Sequence, residues 1–297
     1  MHGIVPYRDE DAGDVSALMD QIAELPSTSA ESFRAFAALP FNRSARDFRL
    51  LRVEDRTVGF ATSTLLHDGA LPIRHFRIGI HPEHRRRRLG TLLLMEILRQ
   101  DAPAGTLLQC NSQQSWQAGN AFLEHAGFRV SRVERLMRRA VRGTEAFAPP
   151  GFRLRPATAR DDAAWIALHA EAYGAREDFT KLTPEHLHSE RGCPGFDLRV
   201  AERDGDVVGY CHAMHLEGRE ALIQSLVVRS DVRGRGLGAA LLSSSLRALA
   251  SSSFDTASLN VVSTEHAAIS VYERLGFETY DQMLTFQQPL SAARSTS

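Results

Sequence analysis

Apolar positions along the chain follow two periods, and the order of those periods repeats. Residues 4–8 read as a short strand. Val15, Leu18, Met19, Ile22 and Leu25 then fall on one face of a helix. A second helical piece spans 31–39. Strands follow at 48–53 and 58–66, joined by a turn at Glu54-Asp55-Arg56, and at 74–80. The last of these stops at His81-Pro82, because the residue before a proline avoids the helical region. A helix is expected at 89–99, a strand at 106–110, a helix at 115–126 ended by Gly127, and closing strands between 128 and 140.

The second half reads the same way. Residues 152–155 form a strand, and Thr158 caps a helix with Ala164, Leu168 and Tyr173 on its apolar face. A short helix follows at 184–190. A hairpin joins 198–202 to 207–215 through Asp204-Gly205. The pattern ends with strands at 221–228 and 257–262, a helix at 265–274 stopped by Gly276, and one or two strands within 279–288. IGIHPEHRRRRLGTLLLMEIL (78–98) aligns with LVVRSDVRGRGLGAALLSSSL (226–246), and NAFLEHAGF (120–128) with SVYERLGF (270–277). Two copies of one fold explain the length. The expected domains are 1–141 and 152–290. The linker RGTEAFAPPG (142–151) is rich in Pro and Gly, and the polar tail 291–297 is expected to be disordered.

Composition narrows the class of protein. With 35 Lys and Arg against 36 Asp and Glu, the net charge of −1 gives no overall basic field for nucleic acid. No apolar run approaches the ~18 residues that span a bilayer, and the first residues lack a signal-peptide pattern. Cys110, Cys193 and Cys211 are scattered, too few for a disulfide framework and badly spaced for zinc. A reduced, cytoplasmic setting and no metal are expected, with no nucleic-acid or membrane partner.

Chemistry concentrates at 222–250. The apolar run Leu226-Val227-Val228 reads as a strand, and Leu241, Leu242, Leu246 and Leu249 as one face of a helix. Between them lies Arg233-Gly234-Arg235-Gly236-Leu237-Gly238-Ala239. Strand, glycine turn and helix present bare backbone N–H groups to a phosphate, and the helix dipole adds about half a charge. The segment is not a P-loop, for no Gly-Lys-Ser/Thr follows. It is not a dinucleotide fingerprint, because G-x-G-x-G lacks the G-x-G-x-x-G spacing. The sequence thus reads as a pyrophosphate cradle, or else as a glycine-rich turn that only starts a helix.

The Arg-x-x-Gly-x-Gly pattern, between a strand and a helix, resembles the acetyl-CoA loop of the GNAT acetyltransferases. The element order of both halves resembles that fold too. The resemblance implies an α/β chain of the mixed-sheet (α+β) kind. It would hold two tandem acyl-CoA N-acyltransferase domains, each a twisted mixed sheet flanked by helices. It implies acetyl transfer from acetyl-CoA to a primary amine of a small molecule or peptide, by direct attack in the second domain. The backbone of Leu226, Val227 and Val228 would hold the pantetheine arm and thioester, with the Val228 N–H an oxyanion donor. Tyr272, four residues before Gly276-Phe277, would protonate the departing thiolate; a helix tyrosine half-buried against the sheet is its bland reading. Glu265 departs from the asparagine common at that position. In the first copy Arg88 replaces a loop glycine and Leu123 replaces the tyrosine, so that domain is expected to be silent and mainly structural. Its arginines could still grip a phosphate, or form a solvated or ion-pairing surface.

The general base is left open. Glu220 is the first candidate, with Gln224 as a water-positioning group and Glu217, His212 and His215 as others. Glu177 and Asp178 could bind a cationic amine, or be solvated loop charge. Cys211 carries no legible His–Asp partners for a nucleophile. A non-catalytic acyl-CoA sensor or partner-binding module is the alternative, and a monomer or homodimer is expected.

Overall fold

The computed structural model describes residues 2–25, 27–39, 42–66, 71–142, 147–175, 181–192 and 196–290. The chain runs through β1 (His2–Pro6), α1 (Ala12–Met19), α2 (Ala30–Ala37), α3 (Ser44–Asp47), β2 (Arg49–Val53), β3 (Arg56–Leu66) and β4 (Ile73–Ile80). It continues through α4 (Leu89–Leu98), β5 (Leu107–Gln113), α5 (Gln117–His125) and β6 (Arg129–Ala140). The second copy contributes β7 (Arg153–Pro156), α6 (Asp162–Tyr173), α7 (Pro184–Arg191), β8 (Asp197–Arg203), β9 (Asp206–Glu217) and β10 (Glu220–Val228). It closes with α8 (Leu237–Ser251), β11 (Thr256–Val262), α9 (His266–Arg274) and β12 (Glu278–Pro289).

Two compact units result. In the first, strands lie in the order β1-β2-β3-β4-β5-β12; in the second, β6-β11-β10-β9-β8-β7. The units therefore do not divide at the 142–151 linker. From Arg132 on, β6 belongs to the second unit, where Ala140 to Glu134 pair antiparallel with Thr256 to Val262 of β11. From Thr285 on, β12 belongs to the first unit, where the Gln287 side-chain amide donates to Gln109 Oε1 of β5 at 2.7 Å. Each half of the sequence thus supplies the last strand of the other unit. The expected strand clusters at 128–140 and 279–288 are single long strands. Phe147 of the linker is exposed. The tail 291–297 lies outside the described residues.

Each unit is mixed: β4–β5 and β10–β11 are parallel, the other registered neighbours antiparallel. In the second unit α8 buries Leu237, Leu241, Leu242, Leu246 and Leu249 against Cys211, Ala213, Ala221, Ile223 and Leu259. Full burial of each such leucine is worth about 1.5–3 kcal/mol. On the other side of the sheet, Trp165 and Leu168 of α6 and Leu187 of α7 pack with Val200, Tyr210 and Val227. Trp165, 1% exposed, anchors this face, where the sequence pattern had Ala164. Thr158 stands one turn earlier than the expected cap: it precedes a short 3-10 turn, Asp161 is the N-cap of α6, and the Thr158 backbone N–H donates to the Asp161 carboxylate at 2.7 Å.

Candidate active site

Strand β10 creates the opening. It pairs with β11 only from Glu220↔Thr256 to Ile223↔Leu259, and no pairing continues beyond. Its ladder with β9 shifts register between Ile223 and Ser225, which makes Gln224 the bulged residue. The extra residue resets the alternation of faces. Ala221 and Ile223 face the α8 core before the bulge, and Leu226 and Val228 face it afterwards, while Val227 joins the α6 core. The Arg229 N–H donates to Val208 O of β9 at 2.8 Å. Alternation then aims the N–H groups of Val228 and Leu226 the other way, into the gap that β11 has left. Two unspent donors in a gap between diverging strands are what an extended amide-bearing chain and a thioester oxygen require.

Beyond β10 the chain turns into α8 through the glycine loop. Gly234 and Gly236 have φ of 77° and 78°, in the left-handed region that favours glycine. A Cβ at either would meet nothing within 4 Å, so the loop faces open space. Gly236 is the N-cap, and the first intrahelical bond runs from Ala240 N to Gly236 O at 3.1 Å. The N–H groups of Leu237, Gly238 and Ala239 therefore have no helical acceptor, and they point at that space with the positive end of a 15-residue helix behind them. These residues fit a pyrophosphate. Arg233 has a structural duty as well: its Nε donates to Val228 O at 2.9 Å and ties the loop to the strand end.

Tyr272 lies in α9 within the α8-side core, 8% exposed, edge-on to Phe277 with ring centroids 6.0 Å apart. Burial, then the charges of Tyr173, Cys211 and Glu265, push its pKa up, so the phenol keeps its proton. Cys211 is fully buried and its thiol is pushed up to about 12 by burial, which disfavours the thiolate a nucleophile needs.

The base candidates are not gathered here. Glu220 sits at the paired end of β10, three positions before the gap opens, or about 10 Å along the strand. Its charge acts on Tyr280. The Gln224 amide reaches Met214 Sδ from the bulge, on an exposed side chain. His215 binds the turn carbonyl of Gly218 at 2.9 Å. His212 is buried against Trp165 and Phe196, and burial lowers its pKa to about 4. The Glu217 side chain, Glu177, Asp178 and Cys193 lie outside the described residues. Sequence reasoning passed over the α6 side: His169 Nδ1 lies 3.0 Å from Tyr210 Oη, and its ring packs on Tyr173 at 4.9 Å. The period-3.6 spacing of His169 and Tyr173 was the available signal.

A splayed parallel pair, a bulged strand and an open glycine loop define an acyl-CoA-dependent acetyltransferase fold. Residues 162–277 match the Acetyltransferase (GNAT) family and 45–130 the Acetyltransferase (GNAT) domain. The chain belongs to the GNAT acetyltransferase family, with two such domains in tandem. It is 31% identical over 283 residues to a mycothiol acetyltransferase of Streptomyces avermitilis, covering 92% of this chain and 90% of that protein. It is 32% identical over 287 residues to one of Streptomyces scabiei, with the same coverage. A GCN5-related N-acetyltransferase of Sphaerobacter thermophilus superposes with a TM-score of 0.79 at 21% identity, over 97% of this chain and 96% of that one. A tandem GNAT protein from the clavulanic acid biosynthesis pathway gives 0.77 at 19% identity, over 99% and 100%. The protein is thus an acetyltransferase, and enzymes of this family use acetyl-CoA. Among the described residues no cluster of His, Cys, Asp and Glu is arranged to hold a metal, and no helix is long and apolar enough to cross a membrane.

Proposed function

We propose that the second unit transfers the acetyl group of acetyl-CoA to a primary amine of a small molecule. The bulge at Gln224, which opens β10 towards the glycine loop, is the observation that carries this reading. The loop N–H groups of Gly236 to Ala239 hold the pyrophosphate, with Arg235 adding charge. Leu226 and Val228 donate to the pantetheine amide and to the thioester oxygen as it becomes an oxyanion. The gap orders amine and thioester, so part of the acceleration is proximity. As the C–S bond breaks, Tyr272, which burial keeps protonated, gives its proton to sulfur. The relatives' name, mycothiol acetyltransferase, favours a small acceptor of the mycothiol kind over a peptide. The first unit is read as a structural partner that does not turn over.

Thiol release from acetyl-CoA, measured against amines, aminoglycosides, peptides and amino-sugar thiols, tests the proposal. Turnover is expected with a small amine. Binding of acetyl-CoA without turnover on any acceptor would make the protein a sensor instead.

A further inference from the structure

The first unit has a strand gap of its own, and a cation stands beside it without a counter-charge. We propose that Arg77 and Thr62 form a binding site for a small carboxylate in the first unit. The inference goes beyond the acetyl-transfer reading and does not depend on it.

Register places the two residues. Strand β4 leaves β5 after His75↔Gln109. Arg77 is the second residue past that point, and it pairs with Thr62 of β3. Residues directly paired in an antiparallel ladder put their side chains on one face. That face is fixed two positions on, at Gly79↔Phe60, where the Phe60 ring lies over Gly79. Phe60 belongs to the core that holds Val15 of α1 and Phe33 of α2. Arg77 and Thr62 thus stand on the α1–α2 face of the sheet, at the edge of the gap. On the far side, Cys110 directly follows Gln109, the last residue of β5 in that ladder.

Charge then makes the site. Arg77 is open to solvent. Protein surrounds the rest of it, so that burial lowers its pKa; it lines a recess rather than a convex surface. No described residue accepts a hydrogen bond from the guanidinium or pairs with its charge. The titratable group that acts on it is Cys110, and burial pushes that thiol up to about 12, so it stays protonated and neutral. Arg74, three positions earlier on the same strand, shows the contrast. It is buried and donates to Ser63 Oγ, Gln100 Oε1 and Asp101 O at 2.6–2.8 Å. The fold supplies every acceptor for one arginine and none for the other. Thr62 repeats the pattern. It is 9% exposed and its hydroxyl has no partner among the described residues, whereas Thr64 on the same face bonds Asn42 Oδ1 at 2.6 Å.

A desolvated cation beside an idle hydroxyl calls for an anion that brings its own acceptors. The guanidinium fork takes a carboxylate through two parallel bonds, and the Thr62 hydroxyl can donate a third. One positive charge balances one negative charge, which selects a carboxylate over a phosphate dianion. The carboxylate can belong to a free organic acid or end an acyl chain, since the chemistry at Arg77 is the same. The first unit then binds a ligand without turning it over.

Thermal melts of the full chain at constant ionic strength give the first readout. Succinate is expected to raise the wild-type Tm relative to chloride. Arg77→Gln should lose that response, and in chloride it should melt no lower than the wild type, because it removes an unpaired, desolvated charge. Arg77→Lys keeps the charge without the fork and should keep part of the response. Calorimetry gives the second readout. Arg77→Gln should weaken succinate by about tenfold or more, and inorganic phosphate should bind the wild type more weakly than succinate does. Succinyl-CoA and acetyl-CoA separate the two sources. Loss of succinyl-CoA affinity in Arg77→Gln with acetyl-CoA spared means that the carboxylate ends an acyl chain; loss of succinate affinity alone means a free acid, and both support the site. An equal response of wild type and Arg77→Gln to succinate and succinyl-CoA overturns it. So does tighter binding of phosphate than of succinate, or a lower Tm of Arg77→Gln in chloride, which would reveal a protein partner for the guanidinium. Thiol release by the second unit is a separate measurement, so failure of either reading leaves the other standing.

Discussion

The loop after β4 and the loop after β10 have the same backbone and different chemistry. Arg86 and Arg88 take φ of 63° and 60°, matching 77° and 78° at Gly234 and Gly236. Arg85 Nε reaches Ile80 O at 3.2 Å, as Arg233 Nε reaches Val228 O. Both strands also leave their parallel neighbour early, β4 after His75↔Gln109 and β10 after Ile223↔Leu259. The left-handed conformation at these positions thus belongs to the fold, and the first unit keeps it at a steric cost of about 1–2 kcal/mol per arginine. Three things differ. Side chains stand on the loop where the second unit leaves open space. The ladder of β4 with β3 runs unbroken from Ile73↔Leu66 to Ile80↔Gly59, with no bulge. Leu123, 4% exposed, stands in place of the hydroxyl-bearing Tyr272. The left-handed loop is inherited with the fold; on the proposed reading the site needs the space, the bulge and the acid as well.

The largest expected effect separates the copies at the acid. Tyr272→Phe should lower kcat by about 10²–10³ with little change in KM, because the hydroxyl acts only as the thiolate leaves. Leu123→Tyr should change nothing, since no bulged strand stands beside it. Steady-state thiol release reads both.

The next effect concerns stability. In the second unit Arg155 grips Asp161 with two bonds of 2.8 Å and Glu202 with a third. In the first, Asp11 receives a single bond from Arg52. The Arg155 guanidinium lowers the Asp161 pKa from 3.8 to about 2. A depressed acid stabilises the fold above its unfolded pKa, and that contribution is lost as pH falls through the folded value. About 2 kcal/mol should therefore be present at pH 6 and fade between pH 4 and 2. Urea unfolding of the wild type and Asp161→Asn at pH 6 and 3 measures it, and the difference between the two proteins should shrink at pH 3.

The smallest effect reverses the usual sign. Arg86→Gly or Arg88→Gly relieves the left-handed strain but adds unfolded-state freedom. Each should stabilise by roughly 0.5–1 kcal/mol and add no acetyl transfer. Thermal melts and thiol release check the two halves of that statement.

Much of this contrast was legible in the sequence. The repeat, the alignment of 78–98 with 226–246 and the glycine loop came from spacing, and the Tyr272 position from the family resemblance. The exchanged strands were not legible. Residues 129–140 and 278–289 have similar patterns, and β5 and β11 offer equivalent edges, so local periodicity cannot choose the partner. The bulge at Gln224 was hidden because the apolar run Leu226-Val227-Val228 masks a change of face. Glu220 looked near the loop in sequence, yet eight strand residues carry it about 26 Å from Val228. The contact between His169 and Tyr210 was not legible either, because a histidine on a helix face signals nothing until a residue of another element meets it.

The central claim is that one intact glycine loop, in the second unit, serves catalysis. The thiol-release rate of Gly236→Arg tests it most directly. Arg88 already holds an arginine in that backbone, and a Cβ at Gly236 meets no neighbour, so the variant should fold with an unchanged circular dichroism spectrum. The predicted result is a rate at background, with Arg88→Gly at the wild-type rate. Full turnover by Gly236→Arg would contradict the account.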